Sequence, residues 1–322
     1  MKPALLGILA LALFVLAACN AVPSAPTQPA DVIVVTATGA AATEVPPATT
    51  APSEAATAVV ATTVPTEAPA ATTAPTQAPT QAPSGSGELG MSKDNPVTSN
   101  AGWSWVTNEA NGFVWVLVPT GCYTMGWNSG FTEETPESQQ CFDAPFWITQ
   151  TEITNKQYGS QGPFAGDDVP RTNVTWSDAA AFCESKGGRL PTEREWEYAA
   201  KGPSNSKFTM GDTLQPGFVI HAGNSKSAVK VGSQPDNASW VGAYDMLGNA
   251  REWVSSGWEP YPPVDGDTRE KLPTGGGEQR RVVRGGSYLT GESFLRNTLR
   301  EFNAYNAGAV DIGFRCTMDY QP

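Results

Sequence analysis

From Asn20 to about Gly87 the chain carries no aromatic residue, and Thr, Ala, Pro, Val and Ser make up nearly all of it. Such a stretch cannot bury enough apolar surface to offset the conformational entropy lost on folding. Its frequent prolines, as in Pro75-Thr76-Gln77-Ala78-Pro79-Thr80-Gln81-Ala82-Pro83, favour extended polyproline II. Residues 19–87 are therefore expected to form a disordered stalk, reaching roughly 200 Å when stretched at about 3.1 Å per residue. Its Ser, Thr and Pro content suits O-glycosylation. Folding is left to residues 88–322, which hold all ten tryptophans and nearly all the glycine. That is enough chain for one large domain or two small ones.

Charge and histidine content exclude several functions. A net charge of −12 and an isoelectric point near 4.6 argue against nucleic-acid binding, which needs clustered Lys and Arg. His221 is the only histidine. Metal sites built on two or three imidazoles cannot be assembled within one such chain. No G-x-S-x-G elbow accompanies His221, so a serine hydrolase is not indicated and the residue is assigned no role.

The N-terminus reads as a signal peptide over residues 1–18. Lys2 gives a positive n-region, and Leu5 to Leu16 form an apolar segment short for a membrane span. Leu16-Ala17-Ala18-Cys19 resembles the lipobox of bacterial lipoproteins, which implies cleavage before Cys19 and acylation of its thiol. The other reading is an ordinary secretory signal with an incidental cysteine. Lipidation of Cys19 would anchor the chain stably at a membrane or cell surface, outside the cytoplasm. In that compartment the remaining cysteines are expected in disulfides.

In the globular part, Phe113–Val118 and Phe146–Ile148 read as strands. Thr154 with Gln157 forms a capping box that opens a short helix. A second helix is expected from about Asp178 to Lys186 with Ser177 as N-cap. A third follows Thr192, whose capping partner is Glu195, and ends at Gly202. Short strands and Gly- and Asn-rich loops follow, so the class is α+β with a high irregular fraction. Cys122, Cys141, Cys183 and Cys316 allow three pairings. Cys122 and Cys141 flank a short polar segment, which makes a local staple natural. A Cys183–Cys316 bond would close a loop of more than a hundred residues, an entropy effect of up to about 4.7 kcal/mol.

Ordered blocks then carry a resemblance. They include Thr151-Glu152-Ile153-Thr154-Asn155, Gly188-Arg189-Leu190-Pro191-Thr192-Glu193-Arg194-Glu195-Trp196-Glu197-Tyr198, Tyr244-Asp245-Met246-Leu247-Gly248-Asn249-Ala250-Arg251-Glu252-Trp253, Arg284-Gly285-Gly286-Ser287-Tyr288 and Gly313-Phe314-Arg315-Cys316. Over residues 100 to 318 these closely resemble the formylglycine-generating enzyme, or sulfatase-modifying factor, family. The resemblance implies a compact C-type-lectin-like fold and a disulfide at Cys183 and Cys316. It also implies a copper(I) oxidase site built on two thiolates. Aligned onto this chain, those positions are Thr290 and Leu295, while the preceding Ser287 is retained. Neither substitute offers the soft ligand copper(I) needs, so copper is not expected. Iron is not expected either, because related sulfoxide synthases use a histidine cluster that this chain lacks.

The resemblance further implies a structural Ca²⁺ held by the carbonyls of Leu247, Gly248 and Ala250 with the Glu252 side chain. Its departure here is Arg251, and the alternative is that Glu252 pairs with an arginine. A second calcium site is matched only at Asn224. Asp265-Gly266-Asp267-Thr268-Arg269-Glu270 reads as a solvated turn rather than an ion loop. Between framework residues, the segment Leu289 to Asp311 carries Thr290, Glu292, Phe294, Asn297, Phe302, Asn303, Tyr305 and Asn306, a mixture that suits a ligand-facing surface. The expected function is a catalytically silent lipoprotein that binds an extracellular protein or glycan. A formylglycine-generating oxidoreductase is the alternative. A variable ligand-binding protein of a diversity-generating retroelement is a further one.

Overall fold

The computed structural model describes residues 89–261 and 279–322. The residues expected to form a signal peptide, the lipidated Cys19, a stalk and a turn at Asp265–Glu270 lie outside the described residues. Among those described, no helix is long and apolar enough to cross a membrane.

Three small sheets and three helices carry the fold. In chain order these are β1 Thr107–Ala110, β2 Phe113–Val118, β3 Gly121–Met125, β4 Ser138–Phe142 and β5 Phe146–Thr149. The helices α1 Asn155–Tyr158, α2 Trp176–Ser185 and α3 Glu193–Lys201 follow. Then come β6 Arg251–Gly257, β7 Arg280–Arg284, β8 Arg300–Ala304, β9 Ile312–Phe314 and β10 Thr317–Asp319. One sheet runs β1-β2-β5-β10, a second pairs β3 with β4, and a third runs β8-β7-β6-β9. All pairings are antiparallel except β6 with β9. The chain is α+β, as its sequence suggested.

Strand β2 is a near-continuous apolar run because it is central: Trp115, Val116, Leu117 and Val118 are all fully buried between neighbours β1 and β5. Helix α3 begins where its capping box directs, with the Thr192 hydroxyl accepting from Glu195 N at 3.2 Å and Glu195 Oε2 accepting from Thr192 N at 2.8 Å. It packs Trp196 and Tyr198 into the main core. Helix α2 starts earlier than Ser177 predicts. Thr175 is the true cap, accepting from Asp178 N at 3.1 Å, so the first turn already contains Trp176.

Two disulfides close the framework. Cys122 and Cys141 face each other directly across β3 and β4. Cys183 on α2 bonds Cys316, which lies between β9 and β10 rather than within a strand. This bond ties the second helix to the chain's end, 133 residues away in sequence.

Candidate functional site

The site region begins where β7 ends. Gly285 and Gly286 both take positive φ, 93° and 70°, a conformation that strongly favours glycine. A Cβ on Gly285 would also lie 3.1 Å from both the Met246 carbonyl oxygen and Trp196. The double turn releases the chain into a tight loop. Ser287 N donates to Thr290 Oγ1 at 2.9 Å, Thr290 N donates to the Ser287 carbonyl at 2.9 Å, and Leu289 N donates to Ser287 Oγ at 3.1 Å. The Ser287 hydroxyl donates onward to Asp311 Oδ2 at 2.7 Å. Arg251 grips the same carboxylate through Nε and Nη2, both at 2.9 Å. Ser287 is thus tied through its hydroxyl to a carboxylate that Arg251 also holds.

The two positions of interest converge. A Cβ built on Gly286 would sit 3.2 Å from both Thr290 Oγ1 and Leu295 Cδ2. Thr290 is half-buried and spends its hydroxyl on the loop. Leu295 is buried in an apolar cluster with Phe208, Val219 and Leu247. The backbone therefore still brings these side chains together, but what it brings together is a hydroxyl and a hydrocarbon. Neither can hold copper(I), and the four cysteines of the described residues are all in disulfides.

Beside this pair opens a pocket of about 470 Å³. Its apolar walls include Phe131, Leu289 and Phe294, and its floor carries Arg251 and Asp311. Leu289, Phe294 and Phe131 remain 57%, 47% and 44% exposed, and the two phenyl rings lie 5.8 Å apart. A second hollow of about 570 Å³ lies across the Glu292–Phe294 turn, bordered by Trp127, Lys207, Glu292 and Leu295.

Buried ion pairs hold this surface. Arg284 pairs with Glu197, Arg296 with Glu134, Arg300 with Glu193 and Arg315 with Glu252. The Arg296–Glu134 pair matters most locally, because Glu134 also caps the turn bearing Phe131 and accepts from Phe131 N at 3.2 Å. Burial alone would raise the Glu134 carboxyl, yet hydrogen bonds from Arg296 and Thr298 hold it below its ordinary 4.5. With the folded value depressed, its contribution to stability is complete above pH 4.5 and is lost as pH falls through the folded value. Glu134→Gln should therefore lower stability at neutral pH and flatten its acid limb, as read by denaturant midpoints between about pH 3 and pH 7.

The expected ligand-facing residues do not form one face. Thr290 and Phe294 line the smaller pocket, and Glu292 lines the second hollow. Phe302 sits on β8 under the guanidinium of Arg280, 4.4 Å from its ring centre. Asn303, Tyr305 and Asn306 follow it toward the start of α2, where the Tyr305 carbonyl accepts from Trp176 N. Asn297 is a correction. It is fully buried, and its amide donates to the Ala200 and Ser206 carbonyls, so it belongs to the framework. Phe131 went unrecognised in the sequence because its loop is remote from Leu289 along the chain.

The expected calcium ligand Glu252 is engaged here by protein donors. Glu252 is fully buried, accepting from Arg315 Nε at 2.7 Å, Arg315 Nη2 at 2.8 Å and Trp196 Nε1 at 2.7 Å. Both oxygens thereby accept hydrogen bonds from protein donors. The Leu247 carbonyl accepts from Asn237 Nδ2 at 2.6 Å. Asn224 closes its own turn, accepting from His221 N and donating to the Val219 carbonyl. His221 is buried, with Nδ1 accepting from Gly223 N. Among the described residues, no group of three His, Cys, Asp or Glu is placed to hold a metal.

Comparison with known proteins agrees with this frame. Residues 160–320, half of the chain, match the sulfatase-modifying factor enzyme 1-like domain, and the chain belongs to that family. The family match starts later than the resemblance read from the sequence, which runs from about residue 100. The formylglycine-generating enzyme of Mus musculus is 35% identical over 169 residues, 48% of this chain and 45% of that protein. The inactive C-alpha-formylglycine-generating enzyme 2 of the same species is 31% identical over 165 residues, 46% of this chain and 49% of that protein. The chain thus spans less than half the length of either relative. Among solved structures, Treponema denticola variable protein 1 superposes with a TM-score of 0.55 at 19% identity, covering 68% of this chain and all of that one. The fold is accordingly of the C-type-lectin-like kind found in formylglycine-generating enzymes.

Proposed function

We propose that this chain is a catalytically silent member of its family, anchored outside the cytoplasm through Cys19, that binds a protein or glycan at the pocket beside Leu289 and Phe294. One observation carries the reading: the two side chains meeting over Gly286 are Thr290 and Leu295, and neither is a thiol. Exposed aromatic rings beside a polar floor supply rigid contact area and orientation. A relative named as inactive supports silence within this family. The likeness to formylglycine-generating enzyme favours a second reading, an oxidoreductase using other residues.

The test joins two assays on the full chain. A Cys-x-Pro-x-Arg peptide is incubated with copper(I) and dioxygen and scored for formylglycine by mass. Peptide-display and glycan-array selections are run in parallel, and each hit is titrated against wild type and Phe131→Ser/Phe294→Ser. The expected result is no formylglycine, and hits weakened about tenfold or more by the variant. Formylglycine formation, or hits indifferent to the variant, overturns the proposal.

A further inference from the structure

A second surface has chemistry that the pocket beside Leu289 does not use. An open hollow of about 560 Å³ lies between the β1–β2 turn, the start of α1, the end of α2 and the loop at residue 230. Three lysines from three separate segments border it: Lys156, Lys186 and Lys230. The chain has a net charge of −12, so random placement would not be expected to favour a cationic hollow. Asp168 is the one carboxylate on its wall, and it faces Lys230 at 3.1 Å with both side chains more than half exposed. A pair so hydrated is held weakly and can open to a ligand. Lys156 and Lys186 have no carboxylate partner among the described residues. Lys186 rests its ammonium 5.3 Å from the Phe182 ring centre.

From this arrangement we infer a binding site for a polyanionic saccharide, one bearing carboxylate or sulfate groups. Ammonium groups act as point charges and accept oxyanions without the fork geometry an arginine imposes. Thr151 also borders the hollow, and its hydroxyl, which donates to the Glu152 carbonyl, retains acceptor lone pairs for sugar hydroxyls. The hollow is open to solvent and its three lysines come from separate segments, which fits a chain laid across it better than a small enclosed anion. This site is distinct from the pocket beside Leu289, sharing none of its lining residues.

The test titrates the full chain with a heparin-derived hexasaccharide, its desulfated and carboxyl-reduced counterpart, inorganic sulfate, and vesicles containing anionic phospholipid. Wild type is compared with Lys156→Gln/Lys186→Gln and with Lys93→Gln/Lys226→Gln, which removes the same charge from exposed lysines elsewhere. The expected result is salt-sensitive hexasaccharide binding, weakened roughly tenfold in the first variant and less than about twofold in the second. Sulfate alone and the neutral counterpart should bind far more weakly. Equal losses in both variants would show a diffuse charge effect and overturn the inference. So would absence of hexasaccharide binding, or binding to the vesicles alone.

Discussion

Glu252→Gln is expected to destabilise the chain by about 3–5 kcal/mol, because it leaves Arg315 as a buried cation without its anion. Arg315 shows what the substitution disturbs. Its five N–H donors are all placed: Nε and Nη2 on Glu252, Nη2 also on the Tyr244 carbonyl, and Nη1 on the Thr149 and Gln150 carbonyls. The pair joins β6 to the segment after β9, next to Cys316. Two further acids moderate the loss. Burial, aided by the Glu252 charge, raises Asp245 to about 6, and burial pushes Glu152 well above the usual carboxylate range. Without the Glu252 charge, both ionise more readily and partly replace it, so the lower end of the range is expected. Guanidinium unfolding with an unchanged slope would measure it.

The same geometry decides a calcium experiment. With both Glu252 oxygens engaged by Arg315 and Trp196, EGTA should leave the thermal midpoint of the wild type unchanged. A fall on chelation would mean that a cation displaces Arg315 from this carboxylate.

Local signals in the sequence were legible where a few neighbouring residues determine the outcome. Thr154 with Gln157 and Thr192 with Glu195 each predict a helix start, and each cap forms. The run Phe113–Val118 predicts a buried strand because six consecutive residues suit one. The candidate site was legible only in part. Thr290 and Leu295 could be placed from motif order, whereas the wall made by Phe131 comes from a loop more than 150 residues earlier. The pairing of Arg296 with Glu134 that holds this wall is equally non-local. Asn297 shows the converse limit. An asparagine between an arginine and a threonine resembles a surface residue in sequence, and only packing shows all three buried, with its amide bonding two backbone carbonyls. Nor does composition show where lysines gather. Lys156, Lys186 and Lys230 are unremarkable along the chain and meet only when three segments fold together.

Thr290→Cys/Leu295→Cys carries the largest expected effect, a rise of orders of magnitude in copper(I) affinity over the wild type. Both side chains already lie over Gly286, so two thiols introduced there would face one another without a change of backbone. Soft thiolates also select copper(I), while a hydroxyl and an isobutyl group offer it nothing comparable. The substitution has a stability cost. Shortening Leu295 opens space beside Phe208, Val219 and Leu247, at about 2 kcal/mol or somewhat more. Losing the Thr290 hydroxyl leaves Ser287 N without its acceptor, roughly 1–3 kcal/mol if no water replaces it. Unfolding midpoints must therefore accompany competition against a chromophoric copper(I) chelator. Tight binding by the folded variant alone would support the proposed silence and place its origin in two side chains on an otherwise intact scaffold. A folded variant no better than wild type would show that the loop itself has been rebuilt, and tight binding by the wild type would restore the oxidase reading.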